Sequence, residues 1–210
     1  MGVVVDYLLN AVVTLFVTLD PIGLAPIFIT LTNGMTATDR RAIGVRATAV
    51  ATSILVAFAL FGQPLLAFLG ISLAAFRIAG GLLLFWIAFE MVFERRQARK
   101  SATVEQASPD EISHIAVVPL AIPLISGPGS ISATILLASH AADTVALAGL
   151  IAVIFVLMAA TLAVFLAAAP IDRLLGATGR AVLSRLLGVI LAALSVQFIA
   201  GGVLEFARNA

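Results

Sequence analysis

The 210-residue chain is 62% hydrophobic and 11% charged, with a mean hydropathy of +1.18 and a formal net charge of +1. So few charges cannot cover the surface of a water-soluble domain, and a near-neutral balance excludes a nucleic-acid face, which needs clustered Lys and Arg. The absence of cysteine excludes disulfides, thiolate metal sites and thiol redox chemistry.

Apolar segments at 7–32, 43–69, 72–93, 115–139, 144–170 and 183–206 are each long enough to cross a bilayer, which takes about 20 residues. No Lys or Arg precedes Arg40, so the first segment lacks the basic start of a signal peptide and reads as a retained span. Its centre is Leu19-Asp20-Pro21-Ile22-Gly23-Leu24-Ala25-Pro26, where two prolines and a glycine predict a broken helix. A freed carbonyl has no water to turn to in hydrocarbon, so such a break belongs inside protein or beside a wet cavity. Thr14 and Thr18 lie four apart on one face and are candidates to line a pathway; the alternative is a bond to their own preceding turn.

Thr36–Arg46 connects spans one and two, and Gly70-Ile71-Ser72 forms a tight turn before span three. Arg77, like Arg185 later, sits a turn or two inside its span and reads as a snorkelling anchor. The polar link Glu94–Ser113 joins two halves, 1–94 and 113–210, with 95–112 between them expected in the cytoplasm as a short surface helix or a loop. Span four carries the second predicted break, Pro123-Leu124-Ile125-Ser126-Gly127-Pro128-Gly129, followed by Ser130 and Ser132. Beyond the turn His140–Asp143 and span five, Ile171–Arg185 leads into span six, which holds Ser195 and Gln197 near its centre. Gln197 is a further pathway candidate, although a buried amide commonly bonds between helices. Glycine pairs 80–81 and 201–202 suit close helix packing. His114 and His140 fall at opposite span ends and cannot share a metal, and no nucleophile elbow, zinc helix or Walker loop is present, so no catalytic residue is assigned.

Of twelve Lys and Arg, only Arg77 and Arg208 fall on the side opposite the other ten. The positive-inside rule then places both termini on the outer face. The halves overlay: Pro21 and Pro26 fall on Pro123 and Pro128, Gln63-Pro64 on Ala169-Pro170, and Arg77-x-x-Gly80 on Arg185-x-x-Gly188. With three spans per copy, the second copy enters from the opposite side. The expected fold is therefore an all-α membrane protein of six transmembrane helices, two inverted three-helix repeats, with helices 1 and 4 broken near the midplane.

Each break exposes N–H groups at one half-helix end and carbonyls at the other, a pair suited to a zwitterion's carboxylate and ammonium. Asp20-Pro21 has the form of an N-cap followed by proline at the first helical position. Asp20 is thus a candidate for a coupling cation or a solute amine, or simply a cap. Pro21, Gly23, Pro26, Pro123, Ser126, Gly127, Pro128, Gly129 and Ser130 complete the candidate substrate site, whose small lining admits a small substrate.

Asp20-Pro21-Ile22-Gly23-x-x-Pro26-Ile27-Phe28 and Pro119-Leu120-Ala121-Ile122-Pro123-Leu124-x-x-Gly127-Pro128-Gly129 resemble the two signature stretches of the MarC family of bacterial inner-membrane proteins. The resemblance covers nearly the whole chain and implies a secondary transporter of small neutral amino acids such as glycine or alanine. Leu24 stands where it leads one to expect asparagine, which removes a polar contact. The implied partners are a small-molecule substrate, the bilayer and a coupling ion, proton or sodium; a homo-oligomer is compatible, and no cofactor or metal is called for. A passive pore, or an exporter of another small polar solute, is the competing reading. An intramembrane enzyme is disfavoured, because Asp20 has no second carboxylate at its depth: Glu90 and Glu205 fall near span ends.

Overall fold

The computed structural model describes residues 2–96, 99–101 and 116–209; most of the link, His114 included, lies outside them. Among the described residues the chain is helical throughout, with no strand. We label the helices α1 (Gly2–Leu19), α2 (Pro21–Leu31), α3 (Ala37–Phe68), α4 (Leu73–Val92), α5 (Pro128–Ser139), α6 (Thr144–Leu166) and α7 (Ala168–Asn209). An irregular apolar segment, Ala116–Ile125, precedes α5. Among the described residues, five helical spans are long and apolar enough to cross a membrane, and Ala116–Ile125 with α5 makes a sixth if the bent pair counts as one.

Capping and propensity set where these helices start, so several extend past the apolar runs. The Thr36 hydroxyl accepts from Asp39 N–H, and α3 begins inside the expected connection Thr36–Arg46. Ser72 caps α4 and Asp143 caps α6 in the same way. The connection Ile171–Arg185 is likewise helical, interrupted at Gly176, whose φ of 59° needs a residue without a Cβ.

The extensive contacts run between the halves. α4 packs along α7, α3 along α6, and α1 against α5; α3 also meets Ala116–Ile125 and α5, while α1 and α2 meet α6. At the α4–α7 seam backbones come close: a Cβ on Gly81 would stand 3.0 Å from the Ser195 carbonyl, and one on Gly202 2.9 Å from that of Ala74. In hydrocarbon, where apolar burial alone gives helices little reason to associate, such packing carries the association. Arg77, expected to snorkel, instead pairs with Glu205 across this seam. Phe28 of α2 stacks on Phe165 of α6 with centroids 4.5 Å apart. Large apolar side chains such as Phe68, Trp86, Val156 and Leu186 face outward.

The two expected breaks differ. Span one continues as Val4–Leu31, interrupted at a single residue: Asp20 is left-handed (φ 52°, ψ 60°), and the bonds Asp20 N–H to Phe16 O and Leu24 N–H to Asp20 O bracket it. Span four bends by 56°. Each residue preceding a proline there is driven into extended backbone, Val118 (φ −125°, ψ 120°) before Pro119 and Ile122 (φ −129°, ψ 121°) before Pro123. Two such X-Pro pairs cannot continue a helix, whereas the single Pro21 sits at a first helical position and can.

Candidate functional site

Asp20 caps α2 as its sequence context suggests: its Oδ1 accepts from Gly23 N–H at 3.1 Å, and Pro21 follows as the first helical residue. Its other oxygen is held by two cations. Lys100 Nζ donates to Asp20 Oδ2 at 2.8 Å, and Arg96 Nε stands 3.8 Å from the same atom. Arg96 also donates to the Thr18 carbonyl, one of the last carbonyls of α1, which lose their helical donors where the helix ends. Both cations belong to the stretch expected as a cytoplasmic linker, yet Arg96 and Lys100 are 6% and 5% exposed. The start of the link folds back into the protein and neutralises the interruption in span one.

The second break supplies the opposite wall. α5 starts at Pro128 with Gly127 as its N-cap and no side-chain cap bond. A cavity of about 260 Å³ is lined by Thr18, Arg96 and Lys100 on one side and by Pro123 and Gly127–Ser130 on the other. A second cavity, of about 210 Å³, lies on the far side of Arg96, walled by Asp20, Gly23, Glu94 and the first turns of α7 after Gly176. Arg96 is the partition between them.

The remaining candidates distribute as follows. Pro21 is buried at the head of α2. Pro26 is half-buried, its carbonyl accepts from the Thr30 hydroxyl, and it is on neither wall. Ser126 is buried beside Gly127 but off the cavity wall, with no hydrogen-bond partner for its hydroxyl among the described residues. The Thr18 hydroxyl bonds back to the Thr14 carbonyl and that of Thr14 reaches Asn10, so both satisfy themselves within α1. Gln197 lines a different cavity, of about 240 Å³, with Tyr7, Asn10 and His140. Glu90 lies in the last turn of α4, near the span end as expected, but it is buried: it receives the Trp86 indole N–H at 3.1 Å and pairs with Arg99 at 2.9 Å.

Arg96 and Lys100 are what the sequence reading missed. Lys100 is the chain's single lysine, and a lysine this buried is rare unless paired. The available signal was spacing: residues 96 and 100 are i, i+4 and share a face when helical. Burial pushes the Lys100 ammonium down to about 8 from 10.5, against the opposing pull of Asp20. Between those two values the unfolded chain holds this proton and the folded one does not, so the group's contribution to stability rises with pH across that window. We expect selective ¹³C-lysine labelling to show one side-chain signal titrating near 8; a midpoint at the ordinary lysine value would place Lys100 in solvent.

A family model described as "MarC family integral membrane protein" matches residues 5–207. The chain is similar to a UPF0056 membrane protein of Methanocaldococcus jannaschii, 38% identical over 94% of this chain and 96% of the relative. It is also similar to the UPF0056 membrane proteins YvbG of Bacillus subtilis, 34% identical over 94% of each chain, and YhcE of Escherichia coli, 34% identical over 90% of this chain and 88% of the relative. No solved structure matches.

Proposed function

The chain belongs to the MarC family of integral membrane proteins, and from that premise we propose that it is a secondary transporter of a small neutral amino acid, glycine- or alanine-like. It works by alternating access between two inverted three-helix repeats. The observation that carries this reading is the shared cavity: the end of α1 and the start of α5, one from each half, face each other across about 260 Å³. That volume falls below the roughly 300–1,000 Å³ of drug-sized sites, in keeping with a small solute.

The pattern of contacts supports the repeat. Exchanging spans 1, 2, 3 for 4, 5, 6 maps α4–α7, α3–α6 and α1–α5 onto themselves, and maps the contacts of α3 with span four onto those of α1 and α2 with α6. The interruptions then lie near mid-bilayer, where transporters of this architecture place their sites. The charge bias orients both termini outward in a bacterial inner membrane. The buried ion pairs of Asp20 with Arg96 and Lys100 of the link favour a carrier over a passive pore, because an open pore would hydrate them. A coupling proton or sodium would compete with Lys100 for Asp20.

Purified protein in proteoliposomes is expected to take up labelled glycine or alanine saturably and to show accelerated exchange with unlabelled solute inside. Uptake that rises linearly with concentration and lacks counterflow would indicate a pore. No uptake above empty vesicles across a broad solute panel would remove the transport reading.

A further inference from the structure

Two cavities of about 330 Å³ each stand at places that the exchange of spans 1, 2, 3 for 4, 5, 6 carries into one another. One lies where the end of α2, the start of α3 and the end of α6 meet. The other lies where the end of α5, the start of α6 and the end of α3 meet. The overlaid residues Ala169 and Gln63 each stand in the wall. Their charges are opposite. Among the described residues, the second is lined by Asp143, whose carboxylate caps α6, and by no cation. The first is lined by Arg40 and Arg41 and, among the described residues, by no carboxylate.

Arg40 is half-buried and anchored, its Nε donating to the Thr32 carbonyl at 3.2 Å, while Arg41 is exposed. Among the described residues neither is in an ion pair. Asp39, their neighbour in sequence, takes the Thr36 hydroxyl instead. Below the two arginines the wall is apolar: Phe28 and Phe165 stack, and Ile29 and Leu166 extend it. Leu166 is exposed, so the cavity opens on the outer apolar surface of the protein.

We propose that this cavity is a binding site for an anionic phospholipid, whose phosphate sits between Arg40 and Arg41 and whose acyl chain starts along Ile29 and Leu166. Arginine and phosphate form charge-assisted, often bidentate bonds. Both arginines belong to the connection at the end of span one, the depth at which headgroups lie, and basic pockets between membrane helices suit such headgroups. A free phosphate would pair with the arginines but leave the apolar wall in water; a phospholipid satisfies both. A zwitterionic headgroup brings an ammonium to a cavity in which two cations already stand. The inference needs only that the chain spans a membrane and does not depend on transport.

The test uses the full chain in detergent, titrated at constant ionic strength with phosphatidylglycerol, phosphatidylcholine or inorganic phosphate. Bound lipid is counted by native mass spectrometry, and Tm is read in parallel, since a ligand of the folded protein raises it. Phosphatidylglycerol is expected to bind at least about fivefold more tightly than phosphatidylcholine, and Arg41→Gln to weaken it by about fivefold, the worth of one arginine beside an anionic headgroup. Arg95→Gln, which removes an exposed arginine outside both cavities, should bind like wild type. Arg41 is exposed, so its replacement leaves the core untouched, and the lipid preference of the wild-type protein is read without any variant. Equal affinity for the two lipids, or equal losses in Arg41→Gln and Arg95→Gln, overturns the proposal. A Tm rise with inorganic phosphate that matches the rise with phosphatidylglycerol assigns the cavity to a free anion and overturns it too.

Discussion

Asp20→Asn is expected to destabilise the protein by about 3–5 kcal/mol, because it strips the counter-charge from two cations that stay buried. The lower end of that range applies if Lys100 sheds its proton, an escape that its pKa of about 8 makes cheap. From the sequence, the same substitution is expected to abolish coupled transport in a folded protein; the structure adds a cost in stability. Asp20→Asn combined with Lys100→Met should recover most of the loss, since it withdraws the orphaned ammonium together with its partner. The two changes are in contact, so a coupling of roughly 0.5–3 kcal/mol is expected from the cycle. Equal unfolding midpoints for Asp20→Asn and wild type would show that the pair contributes nothing.

Gly127→Ala should act through the backbone. A Cβ there would stand 2.6 Å from the Pro123 carbonyl oxygen, a main-chain atom fixed by the bend that it closes. To relieve the overlap, the chain between Pro123 and Pro128 must open, shifting the cavity wall formed by Gly127–Ser130. We expect a loss of about 1–3 kcal/mol of stability from the steric conflict and at least a tenfold fall in uptake, of which about 1.4 kcal/mol of lost binding would be the equivalent. Gly201→Ala is the matched control: nothing lies within 4 Å of the added atom, and uptake should be unchanged. A Gly127→Ala protein that transports normally would mean that the bend does not position the site.

How much of this was legible beforehand depended on how local the cause was. The Asp20 cap, Pro21 at the first position of α2 and Pro128 opening α5 follow from residues adjacent in sequence, and spacing alone was enough to place them. The difference between the two interruptions was harder. It turns on Val118-Pro119 as a second X-Pro pair, and Pro119 reads in the sequence as part of a motif with no assigned bend. The re-entry of the link was not legible. Hydropathy and the positive-inside rule treat Arg96 and Lys100 as interfacial charge, and neither has any way to record that Asp20, some eighty residues earlier, needs a partner. Glu90 was placed correctly near a span end, but its burial was not legible, because Arg99 and Trp86 enclose it and distance to the end of an apolar run records neither.

The burial of the chain's one lysine makes the protein its own clock. Acylating reagents that seek primary amines find only the α-amino group and Lys100, and the latter stays shielded while its bond to Asp20 holds. The rate at which that amine reacts therefore counts how often the Lys100–Asp20 contact opens, in the way that amide exchange counts local openings elsewhere.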